Sequence, residues 1–294
     1  MKPLLVWLLL CVVWGTTWIF IKLGLRDLPP VSFAALRFLA ASSILFVILR
    51  FRKTALPADK KLRKIIVVTG ILQFFINYGL LFWGEQFISS GLAAVLQATI
   101  PAFGLGLARI YLGEQITGLK IVSILLGLAG VAVIFREQLS LNGQMAFFGS
   151  LAVVAGAFGA AYASVLTKSN SGRIDPAAMV LGQMTVGQIP LWLVGLTTEG
   201  SPLNFRWTWL AVVCVLYLAV VGSIVAFWLY YWLLSKIDVT KAMMISFVTP
   251  LVAVFVGSFF GEKLEFETLA GGLLILLSVL LIVVRPILRK KLAG

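Results

Sequence analysis

Three carboxamide side chains, Asn77, Gln97 and Gln183, stand inside long apolar runs. Each offers two donors and an acceptor with two lone pairs, and hydrocarbon satisfies none of them. In that setting an amide either ties helices together or faces a polar solute. Other polar and aromatic groups recur beside them. Gln73 and Asn77 are four residues apart, on one helical face, with Tyr78 next to them. Trp14 and Trp18 share the same spacing, with Thr17 between them, and Thr99 follows Gln97. The second half of the chain supplies Tyr162, Ser164, Gln188, Trp228, Tyr231, Ser246 and Thr249. Rings give apolar faces and cation–π contact for an ammonium, and amides bond a carboxylate. This chemistry is binding and passage of a small zwitterionic or amphipathic solute. The substrate-binding set is Trp14, Thr17, Trp18, Asn77, Tyr78, Gln97, Tyr162, Gln183, Trp228 and Ser246. For Thr17, Ser164 and Thr249 a hydrogen bond to their own helix backbone is the competing role. For Trp83, Trp207, Trp209 and Trp232 it is anchoring at the membrane interface.

Charge is scarce in the same runs. Arg37 is the one cation well inside an apolar segment, set either to tie to a loop or carbonyl or to pair with a substrate carboxylate. Glu85, Glu114 and Glu262 fall at segment ends, and no Asp or Glu falls at a segment centre. Proton-coupled carriers usually place an ionisable group in the pathway. The expectation is therefore facilitated diffusion, or coupling through an end carboxylate such as Glu85. Glu114 and Glu262 are expected to cap the helix that follows each. Pro101 and Pro250 are expected mid-helix, where each removes a backbone hydrogen bond and bends the path, a gating role.

Several chemistries are missing. The chain has no histidine, which removes His-based triads, proton relays and zinc ligation. It has no HExxH, no GxSxG, no paired intramembrane aspartates and no P-loop. No enzymatic activity, metal or cofactor is expected. Cys11 and Cys214 sit in apolar runs as small packing residues.

The elements that carry these residues must be membrane helices. Of 294 residues, 61% are hydrophobic and 12% charged, with a mean hydropathy of +1.06. Soluble domains carry about 25% charged residues. Continuous apolar runs, rather than alternating ones, exclude a β-barrel. Ten spans are predicted at 4–23, 31–50, 65–84, 89–110, 118–136, 144–167, 176–197, 208–234, 239–260 and 268–286. The first is read as a retained span rather than a cleaved signal. The net charge of +13 is a matter of topology rather than of nucleic-acid binding. Eighteen of the 24 Lys and Arg fall on the side with both termini, and five, Lys22, Arg26, Arg136, Arg206 and Lys263, on the other. That bias predicts a multi-pass protein of the cytoplasmic membrane with both termini in the cytoplasm.

The halves repeat. Shifting by 149 residues brings Trp83 to Trp232 and Pro101 to Pro250, and with one residue of slippage Gly113-Glu114 to Gly261-Glu262. Trp14-Gly15-Thr16-Thr17-Trp18 resembles Phe158-Gly159-Ala160-Ala161-Tyr162, and Pro30 matches Pro176. Residues 1–139 and 140–294 thus read as two five-helix repeats. Five is odd, so the second repeat is inverted in the membrane. Small-residue spacings, Ala155-Gly156 with Gly159-Ala160 and Gly257 with Gly261, allow close helix contact, expected within one protomer. A monomer, or a weak homodimer, follows.

Trp14-Gly15, Leu28-Pro29-Pro30, Arg37-Phe38, Gly91-Leu92-Ala93-Ala94, Pro101 and the Gly-Glu pairs after spans four and nine resemble the drug/metabolite transporter superfamily, and within it the EamA-type ten-helix permeases. The resemblance covers nearly the whole chain. It implies an all-α fold of two inverted repeats, cytoplasmic termini, and export of amino acids or related metabolites. A lipid flippase or a nucleotide-sugar-type carrier on the same fold is the alternative. A carrier of phosphorylated substrates should place Lys or Arg in its cavity, and here only Arg37 qualifies.

Overall fold

The computed structural model describes residues 2–88, 90–134, 136, 143–258 and 266–284. The expected Glu262 cap, the Gly261 contact and the basic residues beyond 284 lie outside this set. The chain is an all-α, multi-span membrane protein. Its helices are α1 (Pro3–Gly24), α2 (Pro30–Phe51), α3 (Lys60–Gly84), α4a (Ser90–Gln97), α4b (Ile100–Leu112), α5 (Gly118–Ile134), α6 (Gln144–Ser169), α7 (Pro176–Thr198), α8 (Trp209–Leu234), α9a (Val239–Met243), α9b (Ile245–Ser258) and α10 (Phe266–Val279). Among the described residues eight helical spans are long and apolar enough to cross a bilayer, and Gly118–Ile134 and Leu269–Ile282 are shorter apolar helices. At 1.5 Å per residue, the 22 residues of α1 extend about 33 Å, the thickness of a hydrocarbon core.

Local chemistry sets the boundaries. Pro3, Pro30 and Pro176 open α1, α2 and α7, where a missing N–H costs nothing. Asp59 accepts from the Lys61 amide and starts α3 five residues earlier than hydropathy suggests. Asp175 accepts from the Ala177 and Ala178 amides to cap α7. Two caps come from far along the chain. Glu199, at the end of α7, accepts from the amides of Val31 and Ser32 and so caps α2. Glu114, after α4b, accepts from the Val239 amide and the Thr240 hydroxyl and caps α9a rather than the helix that follows it.

Alternate connections define two faces of the bundle. One, here the N-terminal face, carries the start of α1 and the α2–α3, α4–α5, α6–α7 and α8–α9 connections. The other carries α1–α2, α3–α4 and α7–α8. Large apolar side chains such as Leu5, Phe46, Leu125 and Leu193 point outward, as a bilayer allows and water does not. Small residues bring helices together. At the α5–α10 crossing a Cβ on Gly271 would lie 2.4 Å from the Gly130 carbonyl oxygen. Gly156 and Gly159 abut the α3 backbone within the same chain.

The packing partners form an exchange pattern. The α1–α9 contact matches α6–α4, α1–α8 matches α6–α3, and α2–α8 matches α7–α3, while α2–α7 and α5–α10 match themselves. Adding or subtracting five from each helix number converts each of these contacts into another of them or into itself. Two π-helical turns obey the same relation: Ile71–Asn77 within α3 and Val220–Val225 within α8 begin 149 residues apart.

Candidate transport cavity

A cavity of about 170 Å³ lies between the halves, lined from α1, α2, α3, α4, α6, α8 and α9. Its walls pair positions 149 apart: Tyr78 with Phe227, Leu81 with Tyr230, Ala94 with Met243, Gln97 with Ser246, and Ile100 with Thr249.

The π-turns put polar groups on its wall. A π-turn displaces the regular backbone ladder, a feature frequent at functional sites. The turn in α3 carries Gln73 and Asn77 into the lining. Across from them, Gln97 Nε2 donates to Asn77 Oδ1 at 3.1 Å, joining α3 to α4a inside the cavity. The turn in α8 exposes the Gly222 carbonyl, which accepts from Arg37 at 2.9 Å and from the Trp14 indole at 3.4 Å. The Arg37 Nε donates to Ser223 Oγ at 2.8 Å, and the guanidinium lies 5.3 Å from the rings of both Phe38 and Tyr78. Arg37 is 2% exposed. It lines the cavity, but its hydrogen bonds hold α2 to α8 across the two halves.

Aromatic side chains share the lining with the amides. Trp14 meets Phe227 and Tyr230 edge-on, with centroids 5.5 and 5.2 Å apart. Tyr230 donates to Ser164 Oγ at 3.2 Å. Thr17 and Thr249 bond backbone carbonyls three residues back, at 2.6 and 3.5 Å. Ser246 differs: among the described residues its buried hydroxyl has no partner, and it lines the cavity.

The two prolines are not equivalent in placement. Pro250 is inside α9b, but Pro101 stands in the first turn of α4b, after an interruption at Ala98–Thr99. It is not mid-helix, because the chain has already broken there. Each proline still withholds an amide from the residue four before it. Those residues are Gln97 and Ser246, both in the lining.

Trp14, Thr17, Trp18, Asn77, Tyr78, Gln97, Ser246, Arg37, Glu85 and Pro250 thus line one cavity. Tyr162, Gln183, Trp228 and Pro101 are not in its lining. Tyr162 points away and pairs with Tyr111, hydroxyl to hydroxyl at 2.9 Å. Trp228 is 43% exposed on the outside of α8; one residue turns a helix by about 100°, so Phe227 takes the inward place. Gln183 is fully buried and binds Thr69, Thr167 and the Tyr231 hydroxyl, joining α7 to α3, α6 and α8. Sequence reasoning passed over Phe227 and Tyr230, though the 149-residue shift from Tyr78 and Leu81 leads directly to them.

The cavity is closed towards the N-terminal face. Ala242, Met243 and Tyr230 form a buried floor. Beneath it Trp7 donates to the Lys241 carbonyl at 3.0 Å, Lys168 donates to the Leu234 carbonyl, and Lys120 pairs with Glu114 at 3.1 Å. At the other end Trp18, Ile21 and Glu85 are half-buried and form a mouth. Burial lifts the Glu85 carboxyl from its ordinary 4.5 to about 7.

Comparison with known proteins follows the same outline. The model of the EamA-like transporter family matches residues 1–136 and 147–284. The chain is 31% identical over 280 residues to the uncharacterized inner membrane transporter YedA of Escherichia coli K12, covering 92% of this chain and 87% of that one. It is 28% identical over 256 residues to a protein of the same organism named as a probable amino-acid metabolite efflux pump, covering 83% and 82%. One solved crystal structure shares the fold with a TM-score of 0.83 at 17% identity, over 99% of each chain.

Proposed function

The chain belongs to the EamA-like transporter family, and from that premise we propose that it is a secondary transporter exporting amino acids or related small amphipathic metabolites across the cytoplasmic membrane by alternating access. Transport itself comes with the family. The substrate class and direction are our reading. The observation that carries it is the cavity lining: an Asn77–Gln97 amide pair and a Ser246 hydroxyl without a partner among the described residues, together with the rings of Trp14, Phe227 and Tyr230. Hydrogen-bonding groups suit a carboxylate, and ring faces suit an ammonium or an apolar side chain. Arg37, the only cation in the lining among the described residues, already serves Ser223 and Gly222, which disfavours phosphorylated cargo. The related efflux pump supports the same class.

We read residues 1–139 and 140–294 as two inverted repeats. The family model's two matched segments, the exchange of helix contacts and the 149-residue pairing of lining positions support this. With cytoplasmic termini, the closed floor faces the cytoplasm and the mouth at Glu85 faces outward. Passage then proceeds by exchanging which end is sealed.

A thermal-shift screen of the purified protein against amino acids and amphipathic cations tests the reading. A ligand that binds only the folded state stabilises it by mass action. One or more zwitterionic amino acids should raise the melting temperature in a saturable way. A response confined to sugar phosphates or to nucleotides would overturn the class.

A further inference from the structure

A second concavity, of about 920 Å³, lies between α2, α3 and α7 on the outside of the bundle. It shares no lining residue with the transport cavity. Its walls are apolar and face outward: Leu39, Phe46, Val47 and Val67 are exposed. Gly182 deepens it. A Cβ there would lie 2.6 Å from Ile66 Cγ2 and would push α7 away from α3. The groove runs along α2 from Leu39 to Val47, with Leu56 and Arg63 at the end nearer the α2–α3 connection. Eight steps of 1.5 Å from Leu39 to Val47 make about 12 Å, most of the depth of one leaflet of a ~30 Å hydrocarbon core.

The end of the groove near the N-terminal face is charged. Arg63 lines it and is fixed by donating its Nε to the Pro57 carbonyl at 2.8 Å. Around it the α2–α3 connection exposes Arg50, Arg52, Lys53, Lys60, Lys61 and Lys64. The one carboxylate in that stretch, Asp59, is occupied in capping α3. A positive rim at the helix ends and an apolar slot most of one leaflet deep complement an amphipathic anion.

We propose that this groove is a binding site for an anionic phospholipid of the bilayer, with one acyl chain in the slot along α2 and the phosphate at Arg63. Basic pockets between helices attract anionic headgroups, and the slot adds apolar burial that a surface patch of lysines lacks. Lipid bound there would bridge the α2–α7 contact, which joins the two halves.

Native mass spectrometry of the full chain released from detergent tests the site, with phosphatidylglycerol and phosphatidylcholine of identical chains as probes. Phosphatidylglycerol should be retained at least ten-fold more strongly. Arg63→Gln should bring it down to the phosphatidylcholine level. Ser43→Trp, which fills the slot from an exposed position, should weaken retention of phosphatidylglycerol with the rim intact. Both variants should melt with wild type in phosphatidylcholine. If Arg63→Gln melts lower there, the Ser43→Trp result decides. Equal retention of the two lipids, or unchanged retention in Ser43→Trp, would overturn the proposal. So would displacement of the lipid by soluble glycerol phosphate at equal concentration, because the ligand would then be free phosphate.

Discussion

At the scale of single residues, the account rests on which polar groups in the bilayer are already satisfied. Gln183 has its partners and is a structural tie, whereas Asn77 and Gln97 meet each other inside a cavity. Asn77→Leu should lower the initial transport rate at least ten-fold. It strands the Gln97 amide at a cost of about 1–3 kcal/mol, so the protein should still fold, as its melting curve would report. Glu85 gives a pH prediction. A carboxyl whose folded value is raised binds more protons in the folded state than in the unfolded one, so it favours the fold at low pH. Its contribution is present below about 4.5 and is lost as pH rises through about 7. The melting temperature should fall across that window in wild type, and Glu85→Gln should remove that part of the fall. An identical slope in the variant would mean that Glu85 is not the group responsible. Both amides and Glu85 were legible in the sequence because a polar group in an apolar run is conspicuous. Trp228 and Tyr162 were misplaced for the opposite reason. α8 and α6 are apolar or small-residue on every side, so nothing in the sequence phases the helix to within one residue.

At the scale of elements, proline, aspartate and glycine made most helix ends readable. The π-turns and the long-range caps were not. A π-turn needs no special residue type, and its presence in α3 and α8 emerges only when the helices pack. Glu114 looked like a cap for its neighbour, but its actual target, α9a, is 125 residues away. The glycines make the element-level prediction. Gly271→Val places a branched side chain against the Gly130 backbone, which cannot rotate aside. Overpacking of this kind costs about 1–3 kcal/mol. Gly106→Ala meets nothing within 4 Å and should be neutral or stabilise by up to about 1 kcal/mol through helix propensity. Thermal unfolding of the two variants measures the contrast. Equal losses would mean that the α5–α10 crossing is not tight.

At the scale of the whole molecule, the all-α, multi-span membrane class could be read from hydropathy. The closed floor could not, because it is made by contacts between distant segments: Trp7 to Lys241, Lys168 to Leu234, Glu114 to Val239. Alternating access requires that floor to open. Cys11 and Cys214 are buried, so a cysteine introduced by Met243→Cys can report on it. That thiol should react slowly with a membrane-impermeant reagent applied from the N-terminal face. Adding Glu114→Gln, which weakens the Lys120 pair and the α9a cap, should speed the reaction several-fold. No change would mean that the seal lies elsewhere.

The central claim is that solute passes through the cavity between the halves. Exchange of a radiolabelled amino acid identified by the thermal screen, across vesicles containing purified protein, tests it with one variant. Ser246→Trp fills the cavity at its unpartnered hydroxyl. Wild type should show saturable exchange, and Ser246→Trp, with a comparable melting temperature, should show almost none. Undiminished exchange in a correctly folded Ser246→Trp protein would place the path outside this cavity and contradict the account.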